Sequence, residues 1–327
     1  MKEIVIGKNE ENKRLDSFLK SYLPNASSGF LYKMLRKKSI TLNDKKADGK
    51  EKLSKGDSIK IFFSDETFDK FHGKQSSHSV EEGNFKALKA LGPLEIIYED
   101  SNILLVNKPA GVLSQKSKPS DISLNDWLID YLVKKGDIST DELGTFKPSI
   151  CNRLDRNTSG IVICAKSLLG ARTMSELLKD RTVDKYYRTI VSGKIGKSSK
   201  LSGFLFKDEK KNKVFISQED PHDTRYSYIE TEFVPLEYSS KNNLTLLEVK
   251  LITGKPHQIR AHLADQKTPI IGDVKYGGKV IAGQNFQLLH CYRVRFPKEM
   301  SIEFSDIAGK EYIAECPEIF DKIFRRG

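Results

Sequence analysis

A polar stretch with little periodicity, from residue 64 to about 92, divides this 327-residue chain, and each part must then build a core of its own. Gly73 to Asn84 is rich in Ser, Lys, Glu, His and Gly, the composition of a flexible linker. A short helix around Phe85 to Leu91 is expected to lead into the second part. The division read from the sequence is therefore a small unit over 1–63, a linker over 64–92 and a large unit over 93–327.

The small unit reads as two helices followed by short strands. Leu15, Phe18, Leu19 and Tyr22 recur at helical spacing, and Pro24-Asn25 stops that helix. Ser27 or Ser28 can cap a second helix with Leu31, Met34 and Leu35 on its apolar side. Lys33, Arg36, Lys37 and Lys38 are left for the outer side. Ser39-Ile40-Thr41-Leu42 and Ser58-Ile59-Lys60-Ile61-Phe62 read as strands. Residues 1–63 hold 15 Lys and Arg against 8 Asp and Glu, a net of +7 out of +11 for the whole chain. So uneven a basic charge suggests a polyanionic partner.

From Pro93 onward strands and helices alternate. Leu94 to Tyr98 and Ile103 to Asn107 read as a hairpin around Glu99-Asp100-Ser101-Asn102. Ser123 to Leu132 suits a helix with Leu124, Trp127, Leu128 and Tyr131 inward, and Leu168 to Leu178 a second. Ile161 to Cys164, Tyr186 to Val191, Tyr228 to Pro235 and Leu244 to Leu251 read as strands. The charged stretches Lys207 to Lys213 and Tyr238 to Asn243 read as surface loops.

Several classes of protein are disfavoured. Apolar runs such as Ile103 to Val106 and Ile161 to Ala165 are far too short for a membrane helix, and the N-terminus lacks a secretory pattern, so a cytoplasmic protein is expected. Cys151, Cys164, Cys291 and Cys316 are widely spaced and read as reduced thiols. Gly254-Lys255 lacks the upstream glycine of a phosphate-binding loop. His257 and His262 lack the spacing and the intervening Glu of a zinc protease. No metal or cofactor is expected.

Two stretches carry chemistry. Asn152-Arg153-Leu154-Asp155-Arg156-Asn157-Thr158-Ser159-Gly160 places a carboxylate between arginines ahead of a strand. Taken alone, Asp155 in such a turn serves equally well to hold the backbone amides near Thr158. Leu251 to Leu263 gathers Lys255, His257, Gln258, Arg260 and His262 ahead of the turn Pro269 to Asp273. Lys185-Tyr186-Tyr187-Arg188 sets rings beside cations at the start of a strand, an arrangement that stacks on bases or simply packs in a core.

The order of these pieces resembles the RluA-type pseudouridine synthase family. The resemblance rests on Tyr98-Glu99-Asp100, Asn107-Lys108-Pro109-Ala110-Gly111, Arg153 through Gly160, Lys185 with Tyr187, and Gly254 through Gly277, and spans about residues 94 to 300. Residues 1–63 resemble the small RNA-binding module of ribosomal protein S-four, through Arg14-Leu15-Asp16, Leu31, Leu35, Ile40 to Asn43 and Gly56-Asp57. Two positions depart from these patterns: Asn152 stands where the family has His, and Lys38 where the module has Gly, which can alter the turn before the Ile40 strand.

The resemblance implies an α+β fold, a mixed and largely antiparallel sheet around a basic cleft, with a small α/β RNA-binding module ahead of it. It implies Asp155 as catalytic aspartate, Tyr187 as active-site tyrosine and Arg260 as the aspartate's basic partner. RNA contact is expected from Asn152, Arg153, Arg156, Lys108, His257 and Gln258, and from Arg14, Lys33, Arg36 and Lys37 in the module. The implied reaction converts uridine to pseudouridine in RNA, foremost large-subunit ribosomal RNA, by a monomer with no membrane attachment. Breaking the ribose–N1 bond and remaking it at C5 imports no group and changes no oxidation state. A carboxylate serves either as nucleophile on sugar or base, or as base for a ribose proton. The target base must first leave its stack. Two rival readings are a non-catalytic RNA-binding or ribosome-assembly factor, which loss of Asp155, Tyr187 or Arg260 would favour, and a methyltransferase, which needs a Gly-rich cofactor loop absent from this sequence.

Overall fold

The computed structural model describes residues 1–7, 9–72, 84–140, 142–210 and 213–326. Near the N-terminus a four-stranded antiparallel sheet runs in the order Lys2–Val5, Ser58–Ile61, Ile40–Leu42, Lys45–Lys46. Helices Leu15–Tyr22 and Ser28–Arg36 bury Leu15, Phe18, Leu19, Leu31 and Leu35 in a core with Ile40, Ile59 and Ile61. Ser27 caps the second helix by accepting the Phe30 N–H at 3.2 Å. That helix closes on Lys38, which takes the left-handed φ of 58°.

The stretch read as linker begins with folded chain. Asp65–His72 is a helix, and Phe68 is buried in the N-terminal core, with Phe71 packed against it. The charged residues between these rings masked an amphipathic turn that needs only one face. The linker reading over Gly73 to Asn84 falls almost wholly outside the described residues. The expected helix before the large unit is Lys86–Leu91, and buried Asp130 accepts its Ala87 N–H at 2.8 Å.

Among the described residues the second sheet has eleven strands. Its main path runs Lys213–Ser217, Ser199–Asp208, Ser227–Ser239, Leu244–Leu251, Asp184–Ser192, Leu289–Arg295, Ser159–Ala165, Ile103–Lys108, Ile96–Glu99. Two short strands, Ser149–Ile150 and Glu311–Ile313, pair beside it. Every pairing is antiparallel except Ser159–Ala165 with Leu289–Arg295, so the sheet is mixed and largely antiparallel, as expected. Helices Leu124–Lys135 and Leu168–Lys179 lie where their apolar spacing put them.

One expectation fails at the sheet edge. Lys207 to Lys213 is not simply a surface loop: Lys207 and Asp208 end a ten-residue strand, and Lys213 begins its hairpin partner. Leu205 faces the core while Phe204 and Phe206 are half-buried on the other side, so the alternation that marks a half-buried strand is blurred. Tyr238 and Ser239 likewise belong to a strand end.

The two sheets are joined by polar contacts as well as by sequence. The Asn9 side chain accepts the Leu168 N–H at 3.0 Å. Glu10 accepts the Thr145 hydroxyl at 2.6 Å, and Lys13 Nζ reaches the Thr145 carbonyl at 3.3 Å.

Candidate active site

Asp155 sits in the loop that feeds strand Ser159–Ala165, and that loop is pinned on both sides of it. The buried Ser114 hydroxyl accepts the Leu154 N–H at 3.1 Å and donates to the Leu154 carbonyl at 2.8 Å. The Arg156 carbonyl accepts the Gly111 N–H at 3.0 Å and the Lys108 ammonium at 3.1 Å. Lys108 also donates to the Pro109 and Val112 carbonyls and is wholly buried. Burial pushes its pKa down to about 7, against the pull of Asp155. Beyond the loop, Gly160 has φ +113°, and a Cβ there would run into the Cys291 carbonyl. Only glycine lets the two strands meet at this point. Cys291 pairs with Gly160 on one side and Tyr187 on the other, which sets Tyr187 two strands over from the end of the Asp155 loop.

The Thr158 N–H bonds the Asp155 backbone carbonyl at 3.0 Å, so the turn closes without the carboxylate. The carboxylate turns instead to Arg260, which donates to it at 2.9 Å. Arg260 grips buried Asp273 through two further hydrogen bonds, of 2.7 and 2.8 Å. This bidentate clamp on a planar guanidinium fixes its aim. The Tyr276 ring lies 5.0 Å from the guanidinium. His257, with a left-handed φ of 54° just ahead of helix Gln258–Asp265, brings Nε2 to 3.8 Å from Asp155. Burial pushes the His257 pKa down to about 4, so the imidazole is neutral near pH 7.

Asp155, His257 and Arg260 line a cleft of about 630 Å³. Among the described residues Asp155 is its only acidic lining residue, against eight Lys and Arg. Tyr187 lines it too, and burial, reinforced by Cys291, raises its hydroxyl pKa well above the usual value.

The structure gathers Asp155, Tyr187 and Arg260 in one cleft. Arg153 and Arg156 are exposed at its rim, although Arg156 Nε donates to the Gly111 carbonyl. Asn152 lines the cleft while its side-chain oxygen accepts the Ile163 N–H at 2.7 Å. Two expected RNA contacts need correction. Lys108 is enclosed, with its ammonium on three carbonyls. Gln258 is buried and its amide is engaged by Thr253, Lys255, Glu230 and Thr231. Arg14 is exposed, in a surface pair with Asp16 at 2.7 Å. Lys108 and Gln258 are polar in sequence and structural in place. By contrast Lys33, Arg36 and Lys37 are exposed, with no ion pair among the described residues. Reading the sequence missed Asp273 and Tyr276 as site residues, and Lys116 and Lys207 as cleft cations. The Gly272-Asp273 turn inside the matching stretch was a usable signal for Asp273, whereas Lys207 became visible only with its strand.

Comparison with known proteins gives the family. Residues 102–265 match the RNA pseudouridylate synthase family. The ribosomal large subunit pseudouridine synthase C of Rickettsia felis is 31% identical over 89% of this chain and 92% of its own length. The chain belongs to the RNA pseudouridine synthase family. It is thus an isomerase acting on RNA. Ribosomal large subunit pseudouridine synthase D of Borreliella burgdorferi is 32% identical over 70% of this chain and 67% of its own. The solved structure of human RNA pseudouridylate synthase domain containing 4 aligns with a TM-score of 0.56 at 21% identity, over 74% of this chain and 94% of that one, a likeness of fold. Among the described residues no helix is long and apolar enough to cross a membrane.

Proposed function

We propose that Asp155 is the catalytic carboxylate of this synthase, Arg260 the group that aims it, and Tyr187 the ring that stacks on uracil. The observation that carries this reading is a carboxylate that is alone among the described residues of a cleft lined with Lys and Arg, held by an arginine that buried Asp273 fixes from behind. The reaction breaks the bond from ribose C1′ to uracil N1 and forms one from C1′ to C5. The C5 proton leaves and N1 gains one, so atoms and electrons balance with no cofactor. Asp155 acts as nucleophile or as base, and both roles need the carboxylate free of the turn's own amides. Tyr187 stays a neutral phenol at pH 7, suited to stacking and to donating a hydrogen bond. The target nucleotide flips from its stack into the cleft at a cost of a few kcal/mol, with Arg153 at the rim placed to fill the gap and Arg156 to hold phosphate.

The N-terminal unit acts in this reading as an S-four-type RNA-binding module, through the exposed row Lys33, Arg36 and Lys37. Relatives named as large-subunit synthases support ribosomal RNA as the substrate, and the enzyme works in the cytoplasm. Pseudouridine mapping in a deletion strain against its parent tests the reading. Sites should vanish from large-subunit ribosomal RNA and return with wild type but not with Asp155→Asn. Their return with Asp155→Asn would sink the catalytic assignment.

A further inference from the structure

A second hydrogen-bond chain reaches toward Asp155, and it starts outside the cleft. The Val214 N–H, on the edge hairpin, donates to the Tyr276 hydroxyl at 3.0 Å. The same hydroxyl lies 2.9 Å from His257 Nδ1, with the two rings perpendicular. His257 Nε2 lies 3.8 Å from the Asp155 carboxylate. Tyr276 is buried, so its hydroxyl has no bulk water to complete its bonding.

Donor counting fixes the protons. A phenol hydroxyl has one proton to donate, and it accepts through its oxygen lone pairs. Val214 occupies an acceptor position. The hydroxyl proton needs a partner, and His257 Nδ1 is the acceptor within reach among the described residues. Nδ1 can accept only if it carries no proton. The neutral imidazole then holds its proton on Nε2, the nitrogen that faces Asp155.

We propose that Tyr276 is a positioning residue that locks His257 in the Nε2–H tautomer, so that His257 joins Arg260 as a second donor to the Asp155 carboxylate. The opposite tautomer would aim a lone pair at a carboxylate. At 3.8 Å the contact is longer than a hydrogen bond, as contacts of a catalytic group are before substrate closes the site. The chain also fastens the edge hairpin to the active site: Val214 pairs in register with Lys207, which lines the cleft. The inference rests on Asp155 as the catalytic group.

Tyr276→Phe removes the hydroxyl and keeps the ring beside the Arg260 guanidinium. Nitrogen-15 spectra of the full chain, with His257 assigned by its loss in His257→Gln, should show the Nε2–H form in wild type. In Tyr276→Phe they should show a mixture of tautomers. Turnover on an RNA substrate should fall roughly ten- to a hundredfold, as for residues that orient a functional group from behind. RNA affinity should stay within about twofold, since phosphate contacts dominate it. A wild-type spectrum of the Nδ1–H form overturns the proposal, and this readout stands even if the variant folds poorly. Unchanged turnover in a folded Tyr276→Phe with mixed tautomers overturns it as well. Normal turnover in Asp155→Asn would instead defeat the reading of Asp155, while the spectrum still decides the tautomer.

Discussion

The cleft and the N-terminal unit both carry clustered cations, but they hold them in opposite ways. In the cleft Arg260 is buried, gripped by Asp273 and aimed at one carboxylate. On the module Lys33, Arg36 and Lys37 stand exposed on a helix face, unpaired among the described residues. A buried, fully bonded charge has one orientation and is hardly screened by salt. An exposed charge has many orientations and weakens as salt rises. The first arrangement suits chemistry and the second suits affinity, and the difference can be tested one group at a time.

Asp155→Asn should show the largest effect. It keeps the size of the side chain and can still accept from Arg260, but it can neither attack carbon nor take a proton. Turnover should drop to background while RNA affinity changes little and the melting temperature holds or rises. A large loss of affinity in the variant would erase the division between the two regions. A variant that is inactive only because it unfolds would return Asp155 to a structural role.

Asp273→Ala comes next. It strands the Arg260 guanidinium in a buried site, and breaking such a pair costs about 3–5 kcal/mol. Chemical denaturation should show that loss. The same substitution made at Asp44, which pairs with Lys60 on the module surface, should cost less than about 1 kcal/mol. Equal costs at the two sites would contradict the contrast drawn from burial.

Much of this architecture was legible in the chain, and the failures share a cause. Helices with one clean apolar face, such as Leu15–Tyr22 and Leu168–Lys179, were plain because their spacing has a single explanation. The helix Asp65–His72 was lost because two rings carry its buried face amid acidic and basic neighbours. Lys108 and Gln258 were misplaced for a different reason. Local sequence shows that a residue is polar but not whether the fold encloses it, and each has at least one partner distant in sequence, Arg156 for Lys108 and Glu230 and Thr231 for Gln258. Tyr276 was missed because its partners Val214 and His257 come from separate segments.

Acid should separate the regions further. Burial holds His257, His262 and His290, all in the large unit, at a pKa of about 4, against an ordinary 6.5. Between those values the unfolded chain binds protons that the folded chain refuses. Stability therefore rises with pH across this window and falls on acidification from about 7 toward 4. Melting followed by the single Trp127, which is buried in the large unit, should shift downward over that range. His290→Asn should shrink the shift, because its ring accepts from Ser159 and bonds the Ala314 carbonyl without exposure to water. A flat pH dependence in wild type would show that these rings charge freely in the fold.

Replacing Lys33, Arg36 and Lys37 with Gln tests the module without cutting it away, which matters because Asn9, Glu10 and Lys13 tie it to the large unit. For every phosphate that is no longer neutralised, the slope of log affinity against log salt should flatten by roughly 0.7–0.9. The triple variant should bind more weakly at low salt and turn over normally at saturating RNA. A fall in saturated turnover would place these cations in the catalytic step and collapse the comparison.

The smallest effect is expected at Lys38, where the module's two demands collide. Helix Ser28–Arg36 ends with the Ser39 N–H on the Met34 carbonyl at 2.9 Å and the Lys38 N–H on the Leu35 carbonyl at 3.1 Å. This closure puts Lys38 at φ 58°, where a side chain costs about 1–2 kcal/mol and glycine costs little. Glycine has more freedom to lose on folding, so the net gain from Lys38→Gly should be roughly 0.5–1 kcal/mol. Lys38 is also exposed beside Lys37 on the basic face. The variant should therefore be more stable and bind RNA slightly less well, with a salt slope lower by no more than a single phosphate's share. A gain in stability with unchanged binding would mean that Lys38 is only an imperfect turn residue. A loss of stability would mean that the left-handed conformation is not strained at this position.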